Sequence, residues 1–397
     1  MENFDCLVVG AGVSGLVAAE HMARNGRRVR VLEAAPHVGG CVRSWRPQGQ
    51  YWQELGAHTA YNSYAPLLEV LAARGRLQDL LLRNKAGYRF RLASGRLQSP
   101  LARIHFLEAL VALPFGLGRP KTGQTVAQWF GRLLGRHNYR QVLAPAFAAV
   151  LSQPADNFPA EWLFRRKPRM QSAPRKFSFS GGLQGLLEAL LEAAPFELQT
   201  GVSVQGVRRV AEGFIVQTDE AELACRQLIV ATPVDTAAQL LADAYPEAAR
   251  ILRGFPMSSS EALGVVVMAE RVAALPRIAG LIGTEGDFWS VVTRDPVPDP
   301  SWRGFTFHFR AGALNRAEKL ARAAHVLGVS VTDFLHVAEV TNRLPAPGVD
   351  HPRRVLELDA LLVHEPVALV GNYLNGLSIG DCAERAVAEA QRLRGER

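Results

Sequence analysis

The first thirty-three residues constrain this chain most. Leu7-Val8-Val9 is a short apolar run that ends in Gly10-Ala11-Gly12-Val13-Ser14-Gly15. A helical pattern continues to about Arg24, and Val29-Arg30-Val31-Leu32 closes on the acid Glu33. Strand, Gly-rich turn, helix, strand and acid follow one another as in a dinucleotide-binding unit. Gly10 allows the tight turn, Gly12 leaves room for a pyrophosphate, and Gly15 lets helix and strand pack closely. The helix N-terminus offers free N–H groups and a positive dipole end to that pyrophosphate. A carboxylate at Glu33 accepts hydrogen bonds from both ribose hydroxyls, whereas an Arg there would favour a 2′-phosphate, so NADP is disfavoured.

A chain of 397 residues can bury a large core and predicts two domains. Hydrophobic content of 48% and charged content of 21% are those of a globular protein. No run of 18 apolar residues exists, which argues against a spanning helix. The first strand starts by Leu7 and leaves no room for a cleavable leader, so a cytoplasmic location is expected. The four cysteines (Cys6, Cys41, Cys225, Cys382) form no CxxC pair, and the histidines show no ligand spacing, so no metal site is expected. The net charge of +8 suits acidic substrates or anionic membrane surfaces. Aromatics interleaved with Lys and Arg are not evident, so nucleic acid is not an expected partner.

Beyond the opening unit, the pattern predicts a hairpin around Ser94-Gly95 and mostly helix from about 100 to 191. An apolar helix over 104–113 should stop at Pro114, and Thr125 should N-cap a helix over 126–134 that ends at Gly135. A helix over 138–151 should kink at Pro145. Strand patterns return near 202–204, 214–217 and 227–232, then at 262–268 and 305–309. A helix is expected over 314–327, a loop at Pro345 and Pro347, a buried strand over 367–370, and a terminal helix from Asp381 to about 393.

Gly39-Gly40-Cys41-Val42-Arg43 lies outside the general dinucleotide motif. It resembles the GGxxR signature of the flavin-dependent amine oxidase superfamily, and that resemblance implies FAD rather than NAD. Further segments resemble the protoporphyrinogen oxidase branch. They are Gly371-Asn372-Tyr373-Leu374-Asn375-Gly376 running to Asp381-Cys382, Thr125-Val126-Ala127-Gln128-Trp129-Phe130, Gly181-Gly182-Leu183-Gln184 with Leu187, and Leu344-Pro345 with His351. The fold implied is α/β: a discontinuous Rossmann-like FAD-binding domain (1–84, 196–240 and 345–397) with an inserted mixed α+β substrate domain (85–195 and 241–344, helical near 100–195).

In that branch a porphyrinogen gives hydride to flavin N5, and dioxygen or another acceptor reoxidises the flavin; the pathway is heme biosynthesis. By position the resemblance assigns Gly10, Ala11, Gly12, Val13, Ser14 and Gly15 to the pyrophosphate and Glu33 with Ala34 to the adenosine ribose. Gly40, Cys41, Arg43, Gly56, Ala57, His58 and Thr59 fall on the flavin side. The Val204 backbone falls at the adenine, and Gly371, Leu377, Ser378 and Ile379 near the isoalloxazine. Asp381 opens the last helix, either as its N-cap or as a cofactor contact. No catalytic side chain is assigned. His58 stands where some members of the branch carry an Arg that pairs with a substrate propionate; a protonated His58 would do so in part, and a neutral one would bond a loop carbonyl. The basic run Arg165-Arg166-Lys167-Pro168-Arg169 with Arg175-Lys176 is either a solvated loop or a device that steers an anionic tetrapyrrole. The apolar segment 104–117, rimmed by Arg103, Arg119 and Lys121, is either a membrane-dipping element or a core helix. The rival functions are an amine oxidase, a polyene desaturase, or a non-catalytic tetrapyrrole binder.

Overall fold

The computed structural model describes residues 2–396. The strands Glu197–Thr200, Val29–Glu33, Glu2–Val9, Glu222–Val230 and Val367–Leu369 lie side by side and parallel. Val204–Val210 and Gly213–Thr218 form an antiparallel hairpin on the lower half of Glu222–Val230. Cys6, Leu7 and Val8 are fully buried, as expected of a parallel strand covered on both faces. Their side chains alternate between two cores: Leu7, Val9, Leu228 and Val230 face one, and Cys6, Val8, Ile229 and Ala368 the other. The second core is closed by the helices Val13–Met22 and Ile379–Leu393. Register sets Val9 against both Leu32 and Val230, and Val230 against Leu369. Gly10, Glu33, Ala231 and Val370 therefore emerge together at the carboxyl end of the sheet, where ligands bind in such sheets.

A second sheet runs in the order His336–Pro345, Met257–Met268, Trp302–Arg310, Phe288–Thr293, Gly280–Gly283, Tyr88–Arg91, Leu97–Gln98. Phe305, Phe307 and Phe309 point to a core shared with the helix Arg316–Leu327, which leaves Thr306 and His308 on the opposite face. That face meets the nucleotide-binding part of the chain. Gln53 Nε2 donates to Thr306 Oγ1 (2.7 Å), Thr306 Oγ1 donates to the Glu54 carbonyl (2.6 Å), and Asn342 Nδ2 to the Leu55 carbonyl (2.9 Å).

Several local expectations are corrected. The apolar helix spans Phe106–Gly116 and carries Pro114 inside its last turn rather than ending before it. The kink at Pro145 takes the form of a π-helical turn, Tyr139–Leu143, ahead of Ala144–Leu151. Pro345 ends a strand instead of marking a loop, and the helices Val234–Leu240, Pro246–Arg253 and His351–Leu362 were not foreseen. The residues Val202 and Ser203 precede their strand. The helix Val126–Leu134 has Thr125 as N-cap in a reciprocal capping box with Gln128, as its sequence suggested.

His21 is a weak point of this frame. It is buried on the first helix, neither ring nitrogen has a partner among the described residues, and burial lowers its pKa to about 4. The unfolded chain takes up a proton at His21 below pH 6.5 and the folded chain does not, so stability drains as pH falls from 6.5 towards 4. His21→Leu should stabilise the fold by about 1 kcal/mol or more by removing an unsatisfied buried group. The gain should grow between pH 6.5 and 4, read as the difference in melting temperature between the two proteins across that range.

Candidate active site

The first cavity, of about 450 Å3, opens at the carboxyl end of the parallel sheet. Gly10 has φ +106°, and a Cβ there would meet the Ala231 carbonyl oxygen at 2.8 Å. A Cβ on Gly15 would sit 1.8 Å from the Gly10 carbonyl oxygen, so helix and turn touch backbone to backbone. Gly12 differs. Its φ is −78°, and a Cβ would meet nothing nearer than the Gly39 carbonyl at 4.0 Å. The space in front of Gly12 belongs to the cavity, as a pyrophosphate cradle requires. Gly39 and Gly40 bring a second loop alongside: Gly12 and Gly39 form a parallel bridge, and the Gly39 N–H donates to the Ala11 carbonyl (3.0 Å). Glu33 is fixed by the Ala11 N–H at 2.7 Å and the Ala35 N–H at 2.9 Å. Ser378 caps the last helix in a box with Asp381, whose carboxylate accepts from the Ser378 hydroxyl and N–H. Asp381 is thus the third residue of that helix, not its cap.

A second cavity of about 870 Å3 adjoins the first; Cys41 and Leu377 line both. Its walls carry Tyr61, Tyr64, Phe158, Trp162 and Phe164, and the second sheet supplies Ser260, His308 and Asn342. Arg165, Arg166, Lys167, Arg169 and Arg175 all reach it. Two of these cations are tied down. Lys167 pairs with Asp381 (2.7 Å) and Glu384 (2.8 Å), and Arg165 donates to the Asn375 carbonyl at 2.8 Å. Lys167 thereby clasps the basic segment to the last helix, and Arg165 clasps it to the loop that precedes that helix. Arg166, Arg169 and Arg175 are exposed and have no acidic partner among the described residues. Cys41 faces this junction, and desolvation pushes its thiol pKa up, which keeps it neutral.

Of the residues singled out from sequence, Gly10, Gly12, Val13, Ser14, Glu33, Ala34, Gly40, Cys41, Arg43, Val204, Gly371, Leu377 and Ile379 line the first cavity. Gly56, Ala57, His58 and Ser378 line the second. Ala11 and Gly15 are packed behind the turn, and Thr59 lies on neither wall. For His58 the structure favours the neutral alternative. Its Nε2 lies 3.0 Å from the Tyr88 hydroxyl, and burial, with His308 and Arg83 nearby, lowers its pKa to about 3. A neutral imidazole cannot pair with a carboxylate, so His58 is no substitute for an Arg. Trp129 and Phe130 line neither cavity; they join an aromatic ladder through Phe147 to Phe164 with ring separations of 4.7, 4.6 and 5.5 Å. Sequence reasoning missed Arg343 and Asn372 in the first cavity and Ser260, His308 and Asn342 in the second. The alternation Phe305-Thr306-Phe307-His308-Phe309 carried a signal for one of them.

Residues 13–267 match the family of flavin containing amine oxidoreductases. The chain belongs to this family. It is a flavin-dependent oxidoreductase by that membership. The chloroplastic protoporphyrinogen oxidase of Nicotiana tabacum is 28% identical over 162 residues, 37% of this chain and 29% of the relative. The 15-cis-phytoene desaturase of Glycine max is 25% identical over 206 residues, 52% of this chain and 27% of the relative. The chain therefore aligns with less than a third of the length of either relative. Among solved structures, a candidate protoporphyrinogen oxidase from Exiguobacterium sp. superposes with a TM-score of 0.80 at 16% identity, over 100% of this chain and 99% of that one. Putrescine oxidase bound to putrescine gives 0.73 at 16% identity, over 99% of each chain. At these identities the superpositions establish a shared fold.

The residues present fit FAD. The open space before Gly12 and the anchored Glu33 carboxylate would form an ADP cradle, and the shared lining at Cys41 and Leu377 joins it to the second cavity. FAD, when bound, supplies the hydride-accepting chemistry. The first helix would hold the pyrophosphate and Glu33 the ribose, while Arg165 ties the loop around Leu377 and Lys167 the last helix to the basic segment.

Proposed function

We propose that this protein is an FAD-dependent oxidase of porphyrinogens, working in tetrapyrrole synthesis. One observation carries the reading: a broad, aromatic-walled chamber of about 870 Å3 adjoins the nucleotide cavity and is rimmed by Arg166, Arg169 and Arg175, which have no acidic partner among the described residues. The macrocycle is wide, apolar and ringed by carboxylates, so it matches the walls and the rim together. An alkylammonium substrate would be repelled by Arg166, Arg169 and Arg175, and an uncharged polyene would gain nothing from them. The Gly12, Glu33 and Leu377 positions are the proposed cofactor contacts; no residue of the rim is proposed to do chemistry. The test is aerobic incubation of the flavin-loaded protein with protoporphyrinogen, coproporphyrinogen, putrescine and an unsaturated fatty acid. Porphyrin fluorescence from either tetrapyrrole supports the reading, and peroxide release from the amine alone overturns it.

We also propose that the protein sits on an anionic membrane surface through the helix Phe106–Gly116. Phe106, Leu107, Leu110, Val111 and Phe115 are each about 70% exposed, and Leu101 and Leu117 extend the patch. A core helix would not leave five large apolar side chains in water. Gly116 packs on the Leu133 backbone, and Glu108 accepts from the His137 and Asn138 N–H groups, so the helix is docked by its other face. Arg119, Arg132, Arg136 and Arg140 are exposed beside it, while Arg103 turns inward over the Phe90 ring. Among the described residues no helix is long and apolar enough to cross a membrane, so the contact is interfacial. Phe106→Ser, Leu110→Ser and Phe115→Ser combined should cut co-sedimentation with phosphatidylglycerol vesicles by about 10-fold or more, from the apolar area withdrawn. Turnover of detergent-dispersed substrate should be unchanged. Equal sedimentation of variant and parent would refute the contact.

A further inference from the structure

The chamber holds one titratable side chain that nothing above employs. His308 projects from Trp302–Arg310 on the face opposite Phe307 and Phe309, and it lines the 870 Å3 cavity. It is 6% exposed, yet it makes no hydrogen bond to any described residue. Burial alone accounts for its pKa of about 4, so at neutral pH the ring is an uncharged base. The groups around it are His58, already engaged by Tyr88 and neutral, and Arg83, which donates to the His58 carbonyl at 2.8 Å. A buried polar ring without a protein partner, facing a cavity, is placed to meet a polar group of whatever fills that cavity.

We propose that His308 is the catalytic proton acceptor of the oxidation, taking the N–H proton of the substrate as the neighbouring carbon gives its hydride to the flavin. This rests on the porphyrinogen reading. The first round breaks one C–H and one N–H bond and forms one new double bond across the carbon–nitrogen frame; proton shifts from carbon to nitrogen between rounds return an N–H for the next. The hydride leaves to the flavin with its electron pair, and the proton leaves to His308. Dioxygen then takes the hydride equivalent together with the proton, giving hydrogen peroxide and restoring the neutral ring. Burial makes a lasting imidazolium at His308 costly, which favours rapid return of the proton. His58 does not serve instead, because its Nε2 is committed to the Tyr88 hydroxyl.

The test uses the flavin-loaded full chain with His308→Gln and His308→Ala. His308→Gln should slow anaerobic flavin bleaching by protoporphyrinogen at least about 100-fold, the usual worth of a positioned base. FAD content and protoporphyrin affinity should stay within about twofold, because neither rests on a proton transfer. Free imidazole should restore part of the rate to His308→Ala and none to His308→Gln, whose side chain still fills the site. A readout independent of turnover is the 15N spectrum of labelled histidine. The resonance missing from the His308→Gln protein should be that of a neutral ring at pH 7 and should shift when protoporphyrin binds. Unchanged bleaching in His308→Gln, or lost affinity with an unchanged bleaching rate, overturns the assignment. An unshifted His308 resonance in porphyrin-saturated protein overturns it as well. A wild-type protein that no porphyrinogen reduces, but whose His308 resonance still shifts, overturns the substrate reading and leaves His308 as a contact in the chamber.

Discussion

Gly12→Ala should fold like the parent and emerge from purification largely without flavin. The glycine has an ordinary backbone angle, φ −78°, and its missing Cβ points into open cavity with the nearest atom 4.0 Å away. An alanine therefore costs the apoprotein little. It does occupy the space that the pyrophosphate needs, and an overpacked contact of that kind costs about 1–3 kcal/mol, or roughly 10- to 100-fold in affinity. Gly15→Ala should behave differently. Its Cβ would lie 1.8 Å from the Gly10 carbonyl oxygen and 3.0 Å from its carbon, so the helix must leave the turn. That places it among the rare substitutions that cost more than about 4 kcal/mol, and soluble apoprotein should be lost along with flavin. Flavin-to-protein absorbance and thermal melting of the apoproteins separate the two cases. Stoichiometric FAD in Gly12→Ala would show that the cavity in front of the turn does not hold the pyrophosphate.

The second large effect concerns the rim. Arg166→Glu, Arg169→Glu and Arg175→Glu together should lower kcat/KM for porphyrinogens by about 10- to 1000-fold, since a charged cleft raises encounter rates by that range. The loss should be larger for the tetracarboxylate coproporphyrinogen than for the dicarboxylate protoporphyrinogen. It should shrink as salt rises, and kcat should hold. Arg165 and Lys167 belong to the same run of sequence but have another task. They bond Asn375, Asp381 and Glu384, so Arg165→Ala should loosen the loop before the last helix and Lys167→Ala the first turns of that helix, and both should reduce flavin retention. A rim triple variant that loses flavin but keeps kcat/KM per flavin would reverse these roles.

The contrast between Arg165 and Arg166 shows where sequence stops being informative. Charge runs look alike until the chain folds, and here alternate members point to a carbonyl, to carboxylates or to solvent. The Gly10 to Glu33 unit was legible because each residue answers to a local backbone requirement: φ at Gly10, close approach at Gly15, a strand end at Glu33. Thr125 and its helix were legible for the same reason, since a capping box is local. The apolar stretch 104–117 was not, because a buried and an exposed apolar helix share one pattern and only tertiary packing distinguishes them. The charge of His58 stayed open between protonated and neutral because its pKa depends on burial and on His308, 250 residues away in sequence. Ser260, His308 and Asn342 come from three strands, and only the pairing of those strands gathers them on one wall.

On the reading proposed above, the flavin bound at Gly10 to Gly15 is reduced by a tetrapyrrole seated in the adjoining chamber. Anaerobic mixing of the flavin-loaded protein with protoporphyrinogen tests it directly. The flavin should bleach as porphyrin absorbance rises, and air should restore the oxidised flavin. A flavin that stays oxidised with protoporphyrinogen and coproporphyrinogen, yet bleaches with dithionite, would contradict the claim.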